Sequence, residues 1–208
     1  PHTGHTPVPR TETGPDGLRI VLDYDEAATV LFPLAPDGAI QPPCDIFRHT
    51  GRGALPGQTH PQLHCVVRAP DRDLFVTCDK GADAIHLFGL EAGRLVHRQT
   101  LPAPPGSSPR YCVFDPARPI FHVNFETAAL LHSYELADTA RLVAETPVPG
   151  GGTMQSDLIL HPDGRHLYSL VRGIEAVAIF ALRDGLPVDV RTVPLNVENP
   201  RGAAISPD

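Results

Sequence analysis

The feature that most constrains this sequence is a turn that recurs along it. Proline stands at positions 15, 70, 116, 162 and 207, spaced 45 to 55 residues apart, and all but Pro116 are followed by aspartate. After each of the first four comes an apolar run rich in β-branched and aromatic residues: LRIVLDY from Leu18, DLFVTCD from Asp73, PIFHVNF from Pro119 and RHLYSLV from Arg165. A short break follows, then a second run: ATVLFPL from Ala28, AIHLFGL from Ala84, LLHSYEL from Leu130 and AVAIFAL from Ala176. Polar turns such as Pro36-Asp37-Gly38, Glu91-Ala92-Gly93 and Arg183-Asp184-Gly185 lead into a less regular outer segment. Short strands punctuated by Pro, Asp and Gly are antiparallel strands joined by tight turns. Four strands in roughly 40–50 residues is the arithmetic of a β-propeller blade.

The expected fold is therefore all-β, a partial propeller of about four blade-equivalents, each of four antiparallel strands. These fall near residues 5–60, 61–107, 108–152 and 153–198 of one incomplete domain, with the start of another unit at 199–208. The sequence lacks an initial methionine and stops inside a repeat, so it reads as a piece of a longer propeller. The end blades of such a piece keep an unpaired apolar face, which predicts poor solubility in isolation.

Charge and composition narrow the function. A net charge of −7 argues against non-specific nucleic-acid binding. No apolar run reaches the roughly 18 residues of a membrane span. The four cysteines, Cys44, Cys65, Cys78 and Cys112, show no CxxC spacing. Cys65 and Cys112 sit within strand patterns as buried free thiols. Eleven histidines are scattered without zinc-ligand spacing, so neither a metal nor another cofactor is expected.

Propeller geometry says where chemistry would collect. The first strand of a blade starts on the face where the second strand ends. Residues about six before each anchor proline and nine or ten after it should meet there. Those before are Pro9, His64, Arg110, Ser156 and Arg201; those after are Asp79, Glu126 and Arg172, with Tyr24 and Asp25 in the first unit. The hairpin between Arg110 and Glu126, turning at Pro116, is the clearest example.

Several segments then resemble the seven-bladed propeller lactonases, the propeller-type 6-phosphogluconolactonases and the related carboxymuconate cyclases. They are Pro61-Gln62-Leu63-His64, Cys78 through Asp83, Pro109-Arg110, Asn124-Phe125-Glu126, Ser156-Asp157 with HPDGRHLY from His161, Val171-Arg172, and Asn199-Pro200-Arg201-Gly202. The resemblance runs over nearly the whole chain and implies seven blades in the complete fold. It implies catalytic roles for His64, Arg110, Glu126 and Arg172, with Arg201, Asp157 and Asp79 touching substrate. The family's Pro-His-x-His is Pro61-Gln62-Leu63-His64 here, its Asn-Glu pair is Asn124-Phe125-Glu126, and its Asn-Arg pair is Val171-Arg172. The implied reaction is hydrolysis of a sugar-acid lactone in cytoplasmic glucose metabolism, with a small anionic lactone as partner.

Residue types support that chemistry. An oxyanion at an attacked lactone carbonyl suits Arg110, Arg172 or Arg201, and His64 or Glu126 could take the proton of water. Arginine binds carboxylate or phosphate through two oxygens at once. Each residue also has a plainer reading. Arg110 and Glu126 could form a structural salt bridge, His64 could fix packing, Arg172 and Arg201 could be solvated, and Asp79 and Asp83 could cap a turn. A carboxymuconate-type cycloisomerase and a non-catalytic binding propeller are the alternative functions.

Overall fold

The computed structural model describes residues 12–13 and 17–206. The anchors Pro15 and Pro207, the turn 14–16 and Pro9 lie outside the described residues. The chain forms four four-stranded antiparallel sheets, each with its strands in sequence order. The first is β1 (Glu12–Thr13), β2 (Leu18–Asp23), β3 (Ala28–Pro33) and β4 (Asp45–Arg48). The second is β5 (Leu63–Arg68), β6 (Leu74–Asp79), β7 (Ala84–Glu91) and β8 (Arg94–Pro102). The third is β9 (Pro109–Phe114), β10 (Ile120–Phe125), β11 (Leu130–Leu136) and β12 (Ala140–Pro147). The fourth is β13 (Gln155–Leu160), β14 (His166–Val171), β15 (Ala176–Arg183) and β16 (Leu186–Pro194). These sheets are blades of a partial β-propeller. No helix among the described residues is long and apolar enough to cross a membrane.

The turns explain why the strands reverse where they do. Asp163 Oδ1 accepts the Arg165 N–H at 2.8 Å, and Asp37 Oδ1 accepts the Ala39 N–H at 3.0 Å. Each side chain closes its own turn two residues on. The third blade lacks Asp after Pro116 and uses the residue before it: Asp115 Oδ1 accepts the Ala117 N–H at 2.8 Å. At Asp184-Gly185 both residues have positive φ, 52° and 78°. That is the mirror-image hairpin turn that suits strand twist.

Burial grades across each blade. In β10 every residue of IFHVNF is buried, whereas β12 and β16 are mostly exposed or half-buried. The chain divides into two compact units, residues 1–108 and 109–208. In the first, β2 packs on β5 and β4 on β8. The core between those two blades holds Ile20, Leu22, Leu31, Leu63, Val66, Phe75 and Phe88. In the second, β9 and β10 pack on β13, with Phe121 stacked on Tyr134 at 5.0 Å. All four cysteines are free, and Cys65, Cys78 and Cys112 are buried.

His122, in the middle of β10, is fully buried and shares a 2.9 Å hydrogen bond with Ser133 Oγ. Burial lowers its pKa from 6.5 to about 4, against a smaller upward pull from Asp115. A histidine kept neutral in the fold contributes stability in full above its unfolded pKa and loses it as pH falls. Urea titrations from pH 7 to pH 4 should therefore show stability declining below about 6.5, with roughly 3 kcal/mol of the decline due to this residue. His122→Gln should flatten the profile by that amount; an unchanged slope would contradict the assignment.

Candidate active site

The second unit assembles its site from strand ends. Arg110 is the second residue of β9, and Glu126 follows the last residue of β10. The two strands pair Asn124 with Tyr111 and Phe125 with Pro109, with an irregularity between Asn124 and Phe125. That register brings the hairpin's open end together, and Arg110 Nε lies 3.7 Å from Glu126 Oε2. Arg172 opens a short 3-10 turn, Arg172–Ile174, just past the end of β14. Its Nη2 donates to Glu126 Oε1 at 2.9 Å, and its Nε donates to the Met154 carbonyl at 3.1 Å. Arg110 Nη1 donates to the Gln155 carbonyl at 3.1 Å, and its Cζ lies 5.5 Å from the Tyr111 ring centroid. Backbone acceptors on β13 and the residue before it thus aim both guanidiniums at one carboxylate.

The trio is largely out of water. Side-chain exposure is 5% for Arg110, 7% for Arg172 and 18% for Glu126. Burial lowers the Arg110 pKa, Glu126 opposes the shift, and the charges of Arg172 and Arg201 add to the lowering. Arg201 is itself exposed, and its charge reaches Arg110. Two guanidiniums beside one carboxylate, with the charge of Arg201 also reaching Arg110, leave a net positive field, which suits an anion.

The other residues singled out from sequence are placed as follows. His64 is half-buried on β5 in the first unit, where Leu63 pairs with Asp79 at an irregular step. Asp79 is fully buried, and its Oδ1 accepts the N–H groups of Gln62, Gly81 and Ala82 at 2.8, 3.0 and 3.0 Å. Asp83, at φ 49°, accepts from the N–H groups of Ala54, Gly106 and Ser108. Both aspartates close loops of the first unit, as turn caps do. Asp157 Oδ2 accepts the Ala203 N–H at 3.2 Å. With Arg201 it borders a cleft of about 490 Å³. Ile159, Tyr168, Leu170 and Val177 make that cleft mainly apolar, which does not mark it as an anion site.

Two supporting amides hold the site together, and of these the sequence reading covers only Asn124, within the segment resembling the family's Asn-Glu pair, and gives it no role. Asn124 accepts the Tyr111 N–H at 3.0 Å and donates to the Ser156 carbonyl and Ser169 Oγ at 3.1 and 3.0 Å. Gln155 Nε2 donates to the carbonyls of Phe125, Ala128 and Leu130. The only signal for Gln155 in the sequence is a polar amide beside an apolar strand.

Residues 15–208 match the family described as lactonase, 7-bladed beta-propeller. The chain belongs to this lactonase family. It is 27% identical over 168 residues to the 6-phosphogluconolactonase of Bacillus subtilis, covering 77% of this chain and 48% of that protein. This lactonase-family chain therefore spans about half the length of that curated relative. Its fold is similar to the periplasmic gluconolactonase PpgL of Pseudomonas aeruginosa, with a TM-score of 0.85 and 23% identity. That alignment covers 95% of this chain and 60% of PpgL. It is also similar to virginiamycin B lyase of Staphylococcus aureus (TM-score 0.68, 11% identity, 97% of this chain and 59% of that one). Likeness at these identities concerns the fold alone.

Removing one partner of a buried ion pair leaves the other charged and desolvated. Glu126→Ala should lower the unfolding free energy of this lactonase-family chain by about 3 kcal/mol. Chemical denaturation would measure it, and a loss below about 0.5 kcal/mol would mark the pair as an ordinary surface salt bridge.

Proposed function

We propose that the complete protein is a lactone hydrolase acting on an anionic sugar-acid lactone of the 6-phosphogluconolactone class. The observation that carries this reading is the excess of guanidinium over carboxylate around Glu126. Family membership and the Bacillus subtilis relative support it. Arg201, exposed and unshielded by burial, binds the substrate's anionic group. Arg110 and Arg172 stabilise the oxyanion that forms at the carbonyl.

In the proposed reaction Glu126 accepts a proton from water as its oxygen adds to the lactone carbonyl carbon. The ring C–O bond then breaks, and the departing ring oxygen takes a proton to give the open hydroxy acid. The carboxylate is held for this work by Arg172 on one oxygen and Arg110 near the other. The family resemblance counts His64 among the active-site residues, and His64→Ala tests that assignment separately.

Turnover of δ-gluconolactone, its 6-phosphate and carboxymuconate by the complete protein would decide between readings. Arg201→Ala perturbs no buried pair, so it should raise KM for the phosphorylated lactone about 10-fold with kcat little changed. Glu126→Gln, assayed well below its melting temperature, should lower kcat about 100-fold. Turnover of carboxymuconate alone would replace hydrolysis by the cycloisomerase reading. Unchanged kinetics in both variants would remove these residues from the chemistry.

A further inference from the structure

The first unit buries three side chains of metal-ligating type against one another. Each of His49, Asp79 and His86 offers a donor atom within 4.8 Å of the other two. They are 7%, 0% and 8% exposed. His49 lies just past β4 of the first blade, Asp79 ends β6 and His86 sits on β7 of the second. Nothing in their spacing along the chain resembles a metal motif; the packing of β4 beside β8 and the pairing of β6 with β7 bring them together.

The hydrogen bonds around the cluster all point outward from it. Thr29 Oγ1 meets His49 Nε2 at 2.9 Å, and Thr100 Oγ1 meets His86 Nδ1 at 3.1 Å. Asp79 Oδ1 is held by three backbone amides. The atoms left over are His49 Nδ1, Asp79 Oδ2 and His86 Nε2, buried with no hydrogen-bond partner among the described residues. Asp79 Oδ2 and His86 Nε2 are 3.6 Å apart, beyond a good hydrogen bond. A buried polar atom left unsatisfied costs about 1–3 kcal/mol. Three such atoms converging on one point are better explained by something that sits between them.

From this geometry we infer that His49, Asp79 and His86 form a three-ligand site for a divalent transition metal of the zinc class, joining the first blade to the second. Two imidazoles and one carboxylate suit zinc or a neighbouring first-row ion, whereas calcium and magnesium prefer all-oxygen shells. Hydrogen bonds on the far side of each ligand are what orient metal-binding histidines and carboxylates. Thr29 and Thr100 accept the imidazole N–H in the tautomers that leave His49 Nδ1 and His86 Nε2 with free lone pairs. Beside the cluster a cavity of about 330 Å³, bordered by His49, Gly51, Arg52, His86, His97 and Thr100, leaves room for a fourth, exchangeable ligand. A site of three protein ligands and an open position is the catalytic rather than the closed structural type. The inference stands independently of the lactone chemistry and gives Asp79 a metal, not a substrate, as its partner.

The test is zinc titration of chelator-treated protein by calorimetry, with thermal melts of the same samples and Co²⁺ absorption spectra as a reporter of nitrogen ligation. One Zn²⁺ per chain should bind and raise the melting temperature. His49→Ala and His86→Ala should abolish both effects while melting cooperatively without metal. Thr100→Val, which touches no metal ligand's donor atom and sits on an exposed strand, should keep the stoichiometry and weaken binding about 10–100-fold. Absence of zinc uptake by the unsubstituted chain would overturn the site and leave an ordinary histidine–aspartate network. Uptake that survives both histidine substitutions, or is indifferent to Thr100→Val, would place the metal elsewhere and overturn it equally.

Discussion

Where a strand ends, its last backbone groups lose their sheet partners, and in the second unit two side-chain amides take them up. Gln155 spans from the head of β13 to three carbonyls at and beyond the end of β10, and Asn124 spans from β10 to β13 and β14. Everything at the candidate site hangs on this closure. The Gln155 carbonyl receives Arg110, the Met154 carbonyl receives Arg172, and the Met154 N–H in turn donates to the Glu126 carbonyl. A buried amide satisfied on both its donor and acceptor sides is costly to displace, because every group it serves is left unpaired. The site is therefore preorganised by neutral hydrogen bonds before any charge interaction is counted.

That order matters for the ion pairs. Bringing Arg110, Arg172 and Glu126 out of water carries a desolvation penalty that attraction alone offsets only when the geometry is fixed. Backbone carbonyls fix it here, each accepting one N–H of a guanidinium. The carboxylate is shared between two cations from different blades, and Arg201 adds a third positive charge at the solvent edge. An anion arriving there meets donors already oriented, so little side-chain entropy remains to be lost on binding.

Much of this was legible in the sequence because the relevant interactions are local in the repeat. Arg110 and Glu126 bracket a hairpin, and antiparallel pairing with a turn at Pro116 forces their ends together whatever the rest of the chain does. The anchor at Pro162 reads correctly because Asp163 closes its own turn through its own side chain, and the exception at Pro116 is covered by Asp115. The partnership of Arg172 with Glu126 spans 46 residues and became readable only through the repeat, which places equivalent strand ends on a common face. Gln155 was not legible at all. Its work lies in which way an amide points at a blade-to-blade seam, and no periodicity encodes that. The cluster of His49, Asp79 and His86 was not legible for a related reason: zinc spacing rules describe ligands on one turn or hairpin, whereas these residues come from two blades, His49 just past β4 and the others on β6 and β7.

The two units solve one problem in different ways. Each places a carboxylate at the end of the second strand of a blade, Asp79 as the last residue of β6 and Glu126 just after β10. Around Glu126 the compensating charge is built in as guanidinium, permanent at any accessible pH. Around Asp79 one oxygen is saturated by backbone N–H groups while the other faces imidazoles. A guanidinium cage leaves the carboxylate complete and its surroundings ready for an external anion. An imidazole cage leaves the carboxylate short of positive charge, and the species that supplies it must be small and must accept lone pairs from nitrogen and oxygen together. A proton satisfies one pair of atoms; a metal ion satisfies all three.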